Sequence, residues 1–259
     1  KAVVEDIAAI SPFYKAFHDY ICSPEFLNAM SAITGIEGLQ ADPTLYGGGT
    51  HDNRHGQQLD PHIDFNYDPR SRRHRRLNLL IYLNPEWELA WGGDIELHSD
   101  PRKPYANQIK SFAPTYNRAV LFETNEQSWH GFPIINLPDD RRDLSRKCIS
   151  IYFYTDSRPE EEIAPPHGTH YIPRPLPPEI KTAGRTLSEH DVHHIHRIEA
   201  ERDGWIAFYQ RQELQMSREI EDLRVQLAAK PPPPPPPMVA DHLADLARRT
   251  ARCLGIRRS

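Results

Sequence analysis

The chain has 259 residues, 38% of them hydrophobic, and a formal net charge of −5 at pH 7. That length can bury one core with appendages, and the acidic balance argues against a nucleic-acid-binding surface. No run approaches the roughly 18 apolar residues of a membrane-spanning helix; the three cysteines, Cys22, Cys148 and Cys253, are odd in number and far apart, which argues against a disulfide framework and for a reducing, cytoplasmic setting.

Two helices are expected first. Ser11-Pro12 and Ser23-Pro24 each pair a capping serine with a proline at the first helical position. After Ser23, the residues Phe26, Leu27, Met30 and Ile33 keep helical spacing, and Gly35 is a natural stop. From about residue 45 the pattern turns to short strands separated by Gly, Pro and Asn. Residues 57–65 carry His62 and Asp64, residues 77–83 form a continuous apolar run, and residues 91–97 and 119–122 follow. Residues 70–76 hold five Arg and one His, open to two readings: a solvated loop, or a basic lip gripping an acidic substrate. Residues 148–154 alternate Cys/Ser/Tyr/Tyr with Ile/Ile/Phe, the period of a strand. Many short strands after leading helices predict a β-sandwich or jelly roll.

Beyond residue 158 the composition changes. The 25 prolines crowd into residues 159–178 and 231–237. A long helix is expected between them, over residues 190–229. On it Ile206, Tyr209, Met216, Ile220, Leu223 and Leu227 share one seam, broken at Glu213, the mark of a short coiled coil or a packed amphipathic helix. The prolines at 231–237 would form a stiff spacer of roughly 20 Å. Residues 238–259 read as a basic amphipathic helix.

The chemistry concentrates in Asp60-Pro61-His62-Ile63-Asp64 and Trp129-His130-Gly131. Side chains two apart in a strand share a face, so His62 and Asp64 can offer an imidazole and a carboxylate to one cation. His130 would complete two histidines and one carboxylate, a set that leaves open positions and selects non-heme Fe(II). Gln58 and Asp60 share the parity of His62 and are candidates to reach the same pocket. Phe65, Trp91 and Trp129 are candidates for its wall. The histidines at 190, 193, 194 and 196 lack acidic or cysteine partners at ligand spacing and read as a solvated helix start. His51 and His55 read as turn residues.

Residues 40–155 together resemble the prolyl-4-hydroxylase-like branch of the 2-oxoglutarate/Fe(II) dioxygenases. The resemblance rests on His62-x-Asp64, Tyr82-Leu83-Asn84 with Trp87, Gly92-Gly93-x-Ile95, Trp129-His130, and Arg146 opening the last strand. It implies a double-stranded β-helix with Fe(II) on His62, Asp64 and His130, and 2-oxoglutarate held at its far carboxylate by Arg146 and Tyr82. Dioxygen is the co-substrate and ascorbate an optional reductant. A planar guanidinium suits a carboxylate, which it grips with two charge-assisted hydrogen bonds. Arg146 shares parity with Cys148 and Ser150, which with Ile95 would line the pocket. The sixteen residues from His130 to Arg146 exceed the family's usual gap, and the insert 135–145 leaves Arg141 and Arg142 as alternatives.

The expected fold class is therefore mainly β with flanking helices. A double-stranded β-helix domain would span 1–158, a proline-rich linker 159–189, a long helix or coiled coil 190–229, a polyproline spacer 230–237 and a basic tail 238–259. The family's default reaction is hydroxylation of a prolyl residue in a protein or peptide. Two alternatives stand: a hydroxylase of a sugar or glycan in bacterial surface-polysaccharide synthesis, and a non-catalytic scaffold with a degenerate β-domain. Self-association or partner binding is expected through 205–229, and contact with a membrane surface through the tail.

Overall fold

The structure, a computed structural model, describes residues 2–176, 178–229, 246 and 249–250. The polyproline run at 231–237, Cys253 and nearly all of the expected tail lie outside the described residues. The chain divides into two compact units, Lys1–Ile198 and Glu199–Ser259.

The first unit is built mainly of antiparallel strands. In chain order they are β1 (Ala2–Val4), β2 (Gln40–Ala41), β3 (Gly49–Asn53), β4 (Leu59–Ile63), β5 (Tyr67–Asp68), β6 (Arg73–Tyr82), β7 (Ile95–His98), β8 (Ile109–Phe112), β9 (Ala119–Glu123), β10 (Trp129–Phe132), β11 (Arg146–Thr155) and β12 (His170–Tyr171). Seven strands form one sheet, in which β11 lies between β3 and β6, β2 also pairs with β11, and β9 with β6; five form the other, in the order β12-β4-β10-β7-β8.

Helices α1 (Pro12–Ile21) and α2 (Pro24–Thr34) start where the Ser-Pro pairs place them. The Ser11 and Ser23 hydroxyls accept from the backbone N–H groups of Tyr14 and Phe26, and Gly35 closes α2 at φ 72°. Ile21 and Met30 from these helices join Leu77, Leu79, Ile149, Ile151 and Phe153 in one core cluster. Burying side chains such as Ile151 and Phe153 stabilises the fold by roughly 1.5–3 kcal/mol each. That anchors one face of β6 and β11 and frees the other to carry chemistry.

Two expectations need correction. Residues 70–76 are a solvated loop only as far as the exposed turn 70–72: β6 begins at Arg73, and Arg75 and Arg76 are buried. Residues 159–189 are not a free linker either, because β12 pairs with β4 and the compact unit runs on to Ile198. The long helix is present as α3 (Glu189–Ala228). No described helix is long and apolar enough to cross a membrane.

Candidate metal centre

His62 lies on β4, with Asp64 just beyond its end, and His130 lies on β10, directly opposite His62 in the antiparallel pairing. Ligand atoms of the three lie within 4.8 Å of one another, and among the described residues no other group of His, Cys, Asp and Glu gathers so. The Nε2 atom of His62 is 3.8 Å from Asp64 Oδ1, and that of His130 is 3.7 Å from Asp64 Oδ2. Each ring is held from behind. His62 Nδ1 sits 2.9 Å from the Asp60 carbonyl oxygen and His130 Nδ1 2.9 Å from that of Ser128. A carbonyl can only accept, so each Nδ1 donates to it, and each Nε2 is turned toward Asp64 and the position a cation would take.

Asp64 is held ionised. Burial alone would raise its pKa, but the Arg75 guanidinium, His130 and His62 bring it down to about 2. Arg75 Nη1 donates to Asp64 Oδ2 at 3.1 Å, and its guanidinium carbon lies 3.5 Å from the centroid of the Phe65 ring and 3.7 Å from that of Tyr152. Burial opposes the charge on Arg75, yet the neighbouring carboxylate raises its pKa further. Asn78 adds a longer contact to the same carboxylate oxygen, 3.4 Å.

Two irregularities in pairing decide which side chains arrive here. Between β4 and β10, His62 faces His130 but Leu59 faces Phe132, so β4 carries one extra residue. Between β6 and β11, Leu77 faces Phe153 but Arg75 faces Tyr154, an extra residue on β6. Each bulge reverses the alternation beyond it. Leu59 therefore lines the cavity where simple parity would place Asp60 or Gln58, and Arg75 does so in place of Arg76. Gly131 belongs to the first bulge: a Cβ there would stand 2.6 Å from the Leu59 carbonyl oxygen.

The cavity measures about 170 Å³. β11 keeps its alternation and sends Arg146, Cys148, Ser150 and Tyr152 into it, joined by Ile95, Phe132 and His51. Arg146 is 2% exposed. Its Nε donates to the Gly93 carbonyl oxygen, its Nη2 donates to Tyr82 Oη at 3.0 Å, and its guanidinium carbon lies 4.2 Å from the Phe132 ring centroid. Gly93 makes room for it, since a Cβ there would meet Arg146 Cδ at 3.1 Å. No carboxylate lies within ion-pairing distance of Arg146 among the described residues. Burial pushes the Tyr82 phenol well up against the pull of Arg146, so the hydroxyl keeps a proton it can donate. The alternatives lie elsewhere: Arg141 pairs with Glu86 at 3.0 Å and Arg142 with Asp139 at 2.8 Å, both half exposed.

A strap of chain after β11 completes the wall. Asn66 donates to the Pro165 carbonyl oxygen and accepts from the His167 backbone N–H, both at 3.0 Å. Thr169 and Tyr171 line the cavity. Tyr171 pairs with His62 across the strands and stacks on its ring, centroids 5.0 Å apart. Beyond it Ile172 N–H donates to the Pro61 carbonyl oxygen at 2.8 Å, and Arg174 ion-pairs with Glu96 at 2.7 Å.

Of the residues expected in the pocket, Ile95, Cys148 and Ser150 line it, and Gln58, Asp60 and Trp129 do not. Gln58 Nε2 donates to Asp60 Oδ1 at 3.2 Å and its Oε1 accepts from Arg197 at 3.3 Å. Trp129 precedes His130 on an extended strand and so faces the other way, 5.4 Å from the Arg102 guanidinium. Trp91 packs instead with Phe132, Ile135 and Leu137, and His55 accepts from the Leu137 N–H at 3.0 Å. Sequence reasoning missed Arg75, Tyr152, Thr169 and Tyr171. Two imidazoles that each donate through Nδ1, with one ionised carboxylate held by Arg75, are a donor set that fits a divalent transition metal.

Residues 48–154 match the family model described as the 2OG-Fe(II) oxygenase superfamily. The prolyl 3-hydroxylase OGFOD1 of Mus musculus is 33% identical over 95 residues, which are 36% of this chain and 17% of that protein. The match thus spans about a sixth of the relative's own length. Among solved structures, prolyl 4-hydroxylases from Phytophthora capsici give 20% identity over 76% of this chain and 55% of that one, with a TM-score of 0.42. A Pseudomonas putida prolyl-4-hydroxylase gives 15% identity over 52% of this chain and 62% of that one, TM-score 0.34. HygX from Streptomyces hygroscopicus, solved with iron bound, gives 12% identity over 58% and 70%, TM-score 0.37. These structural overlaps are loose.

Proposed function

From the premise that residues 48–154 belong to the 2-oxoglutarate/Fe(II) oxygenases, in the branch that resembles prolyl hydroxylases, we propose that this chain hydroxylates a prolyl residue of a protein or peptide. On this reading the two antiparallel sheets are the two faces of a double-stranded β-helix. His62, Asp64 and His130 hold Fe(II), and Arg146 with Tyr82 holds the far carboxylate of 2-oxoglutarate. The observation that carries the reading is one cavity with two unlike features: a three-ligand cluster, and a buried arginine without a carboxylate.

The chemistry that Fe(II) supplies when bound, with 2-oxoglutarate and dioxygen, is hydroxylation of a C–H bond with release of succinate and carbon dioxide. The protein's part is positional. Asp60 and Ser128 carbonyls fix both imidazoles in the ligating tautomer. Arg75 occupies Asp64 Oδ2 and leaves Oδ1 for the metal. Arg146 offers a fork of N–H donors, and Tyr82, which accepts from Arg146, has its own proton to give a carboxylate oxygen. Leu59, Leu80, Ile95 and Phe132 exclude water from one side of the cavity and Tyr171 from another.

A prolyl peptide is favoured over a glycan by a neighbouring groove of about 380 Å³, lined by Tyr46, Phe65, Tyr67, Pro69 and Pro166 among others. Phe65 lines both this groove and the metal cavity, so the two lie against the same ring. Aromatic and proline surfaces suit an extended proline-rich strand, which needs few hydrogen-bond donors.

Anaerobic titration with Fe(II) and then 2-oxoglutarate tests the cofactor assignment through the weak visible charge-transfer band of a chelated keto acid. The band is expected in wild type, followed in air by conversion of 2-oxoglutarate to succinate and a gain of one oxygen mass on prolyl peptides. Iron bound without a band would sink the 2-oxoglutarate reading. Oxygen gained by glycans and never by peptides would replace the substrate.

A further inference from the structure

Helix α3 is 40 residues long, and from Ile206 onward it displays large apolar side chains to solvent. Ile206 is 49% exposed, Met216 55%, Ile220 50%, Leu223 63% and Leu227 70%. Exposed Leu214 and Val225 lie off their line, but these five do not scatter. The positions 206, 209, 213, 216, 220, 223 and 227 advance in alternating steps of three and four. That is the seven-residue repeat that keeps one seam facing a partner helix. In this repeat Ile206, Glu213, Ile220 and Leu227 occupy one core position, and Tyr209, Met216 and Leu223 the other. Isoleucine at two of the four first positions and leucine at one of the three second positions are residues that suit a parallel pair, and one polar residue at the first, here Glu213, fixes register at a cost in stability.

Charge points the same way. Glu219 stands just before the seam residue Ile220, and Arg224 just after Leu223. In a parallel pair, Glu219 of one copy meets Arg224 of the other, and the two-fold axis makes the contact twice. Within one helix these residues are five apart and cannot pair with each other. There, Glu219 accepts from Gln215 at 3.3 Å and Arg224 lies 3.6 Å from Glu221, both at the surface. We propose that residues 206–227 of two copies form a parallel two-stranded coiled coil, with Glu213 as its polar layer, and that the protein is a weak, reversible homodimer.

Sedimentation equilibrium of the full chain across the micromolar range tests this. Wild type is expected to show a monomer–dimer equilibrium. Ile220→Glu combined with Leu223→Glu should give monomer alone, with iron binding unchanged. Glu213→Leu should tighten association by at least roughly tenfold, because it replaces a like-charged layer with an apolar one. Arg224→Glu should weaken it roughly fivefold, and adding Glu219→Arg should restore it. The restoration is the discriminating result, since it needs a contact between copies. A wild type and a Glu213→Leu variant that both stay monomeric, a dimer that survives the seam pair, or a charge swap without restoration would each overturn the proposal.

Discussion

Two arginines line the same cavity, nearly equally buried, at 1% exposure for Arg75 and 2% for Arg146. Arg75 has its counter-charge inside the protein: Asp64 at 3.1 Å, with Phe65 and Tyr152 on its flanks. Arg146 has no carboxylate at ion-pairing distance: it donates to the Gly93 carbonyl and the Tyr82 hydroxyl and packs on the Phe132 ring, and Asp94 reaches it only as a longer-range charge. A buried cation is costly unless an anion compensates it. The compensated arginine is therefore part of the scaffold that holds a carboxylate in place. Arg146, with no carboxylate in ion-pairing contact and only the longer-range charge of Asp94 near it, is left with donors for an anion from outside, the role given to the proposed 2-oxoglutarate carboxylate.

Substitution should separate the two roles. Arg75→Ala has the largest expected effect, because it strands Asp64 as an unpaired buried charge. A loss of about 3–5 kcal/mol in unfolding free energy is expected for metal-free protein. Added divalent metal should recover part of it, since a cation on Asp64 replaces the missing charge. Chemical denaturation with chelator and with Fe(II) under argon reads both numbers; equal losses in the two conditions would break the assignment of Arg75 to Asp64. Arg146→Ala should behave oppositely. Iron affinity should hold, while half-saturation by 2-oxoglutarate rises by roughly a hundredfold or more. Thermal stabilisation by added 2-oxoglutarate should vanish with it. If Arg75→Ala raised the 2-oxoglutarate requirement more than Arg146→Ala, the roles would be reversed.

The sequence makes one of these arginines visible and hides the other, for a physical reason. β11 alternates without interruption, so strand parity alone puts Arg146, Cys148 and Ser150 on one face and Ile149, Ile151 and Phe153 on the helix-packed face. The helix starts at Pro12 and Pro24 are legible for a similar reason, since a serine cap followed by proline is a purely local signal. Arg75 sits in an arginine-rich run beyond a bulge, and a one-residue slip exchanges the faces of a strand. The same slip on β4 moves Leu59 into the cavity and turns Asp60 away. The β4 bulge has two local marks, Pro61 within the strand and Gly131, where a side chain would strike the bulged strand, and the β6 bulge has none. The strap is hidden differently. β12 is two residues long, lies among prolines, and pairs with a strand more than a hundred residues earlier, so its composition alone reads as a linker.

Tyr82→Phe sharpens the comparison at a smaller scale. It removes an acceptor from Arg146 and a donor from the proposed carboxylate, and leaves Arg75 and Asp64 untouched. The expected change is a five- to tenfold rise in half-saturation by 2-oxoglutarate, about 1–1.5 kcal/mol, with iron affinity unchanged. An unchanged 2-oxoglutarate requirement would mean that the carboxylate does not reach Tyr82.

The smallest effect is expected from Tyr171→Ala, which touches neither arginine. Tyr171 stacks on His62, and its loss removes an aromatic contact worth about 0.5–1.5 kcal/mol. Iron release, followed by competition with a colorimetric chelator, should quicken by a few-fold to roughly tenfold. Tyr171→Phe keeps the ring and should behave as wild type, which separates stacking from any role of the hydroxyl. The 2-oxoglutarate requirement at saturating iron should stay put in both variants. A large shift there would mean that the strap shapes the anion end of the cavity as well. The contrast between the two arginines would then no longer map onto separate halves of the site.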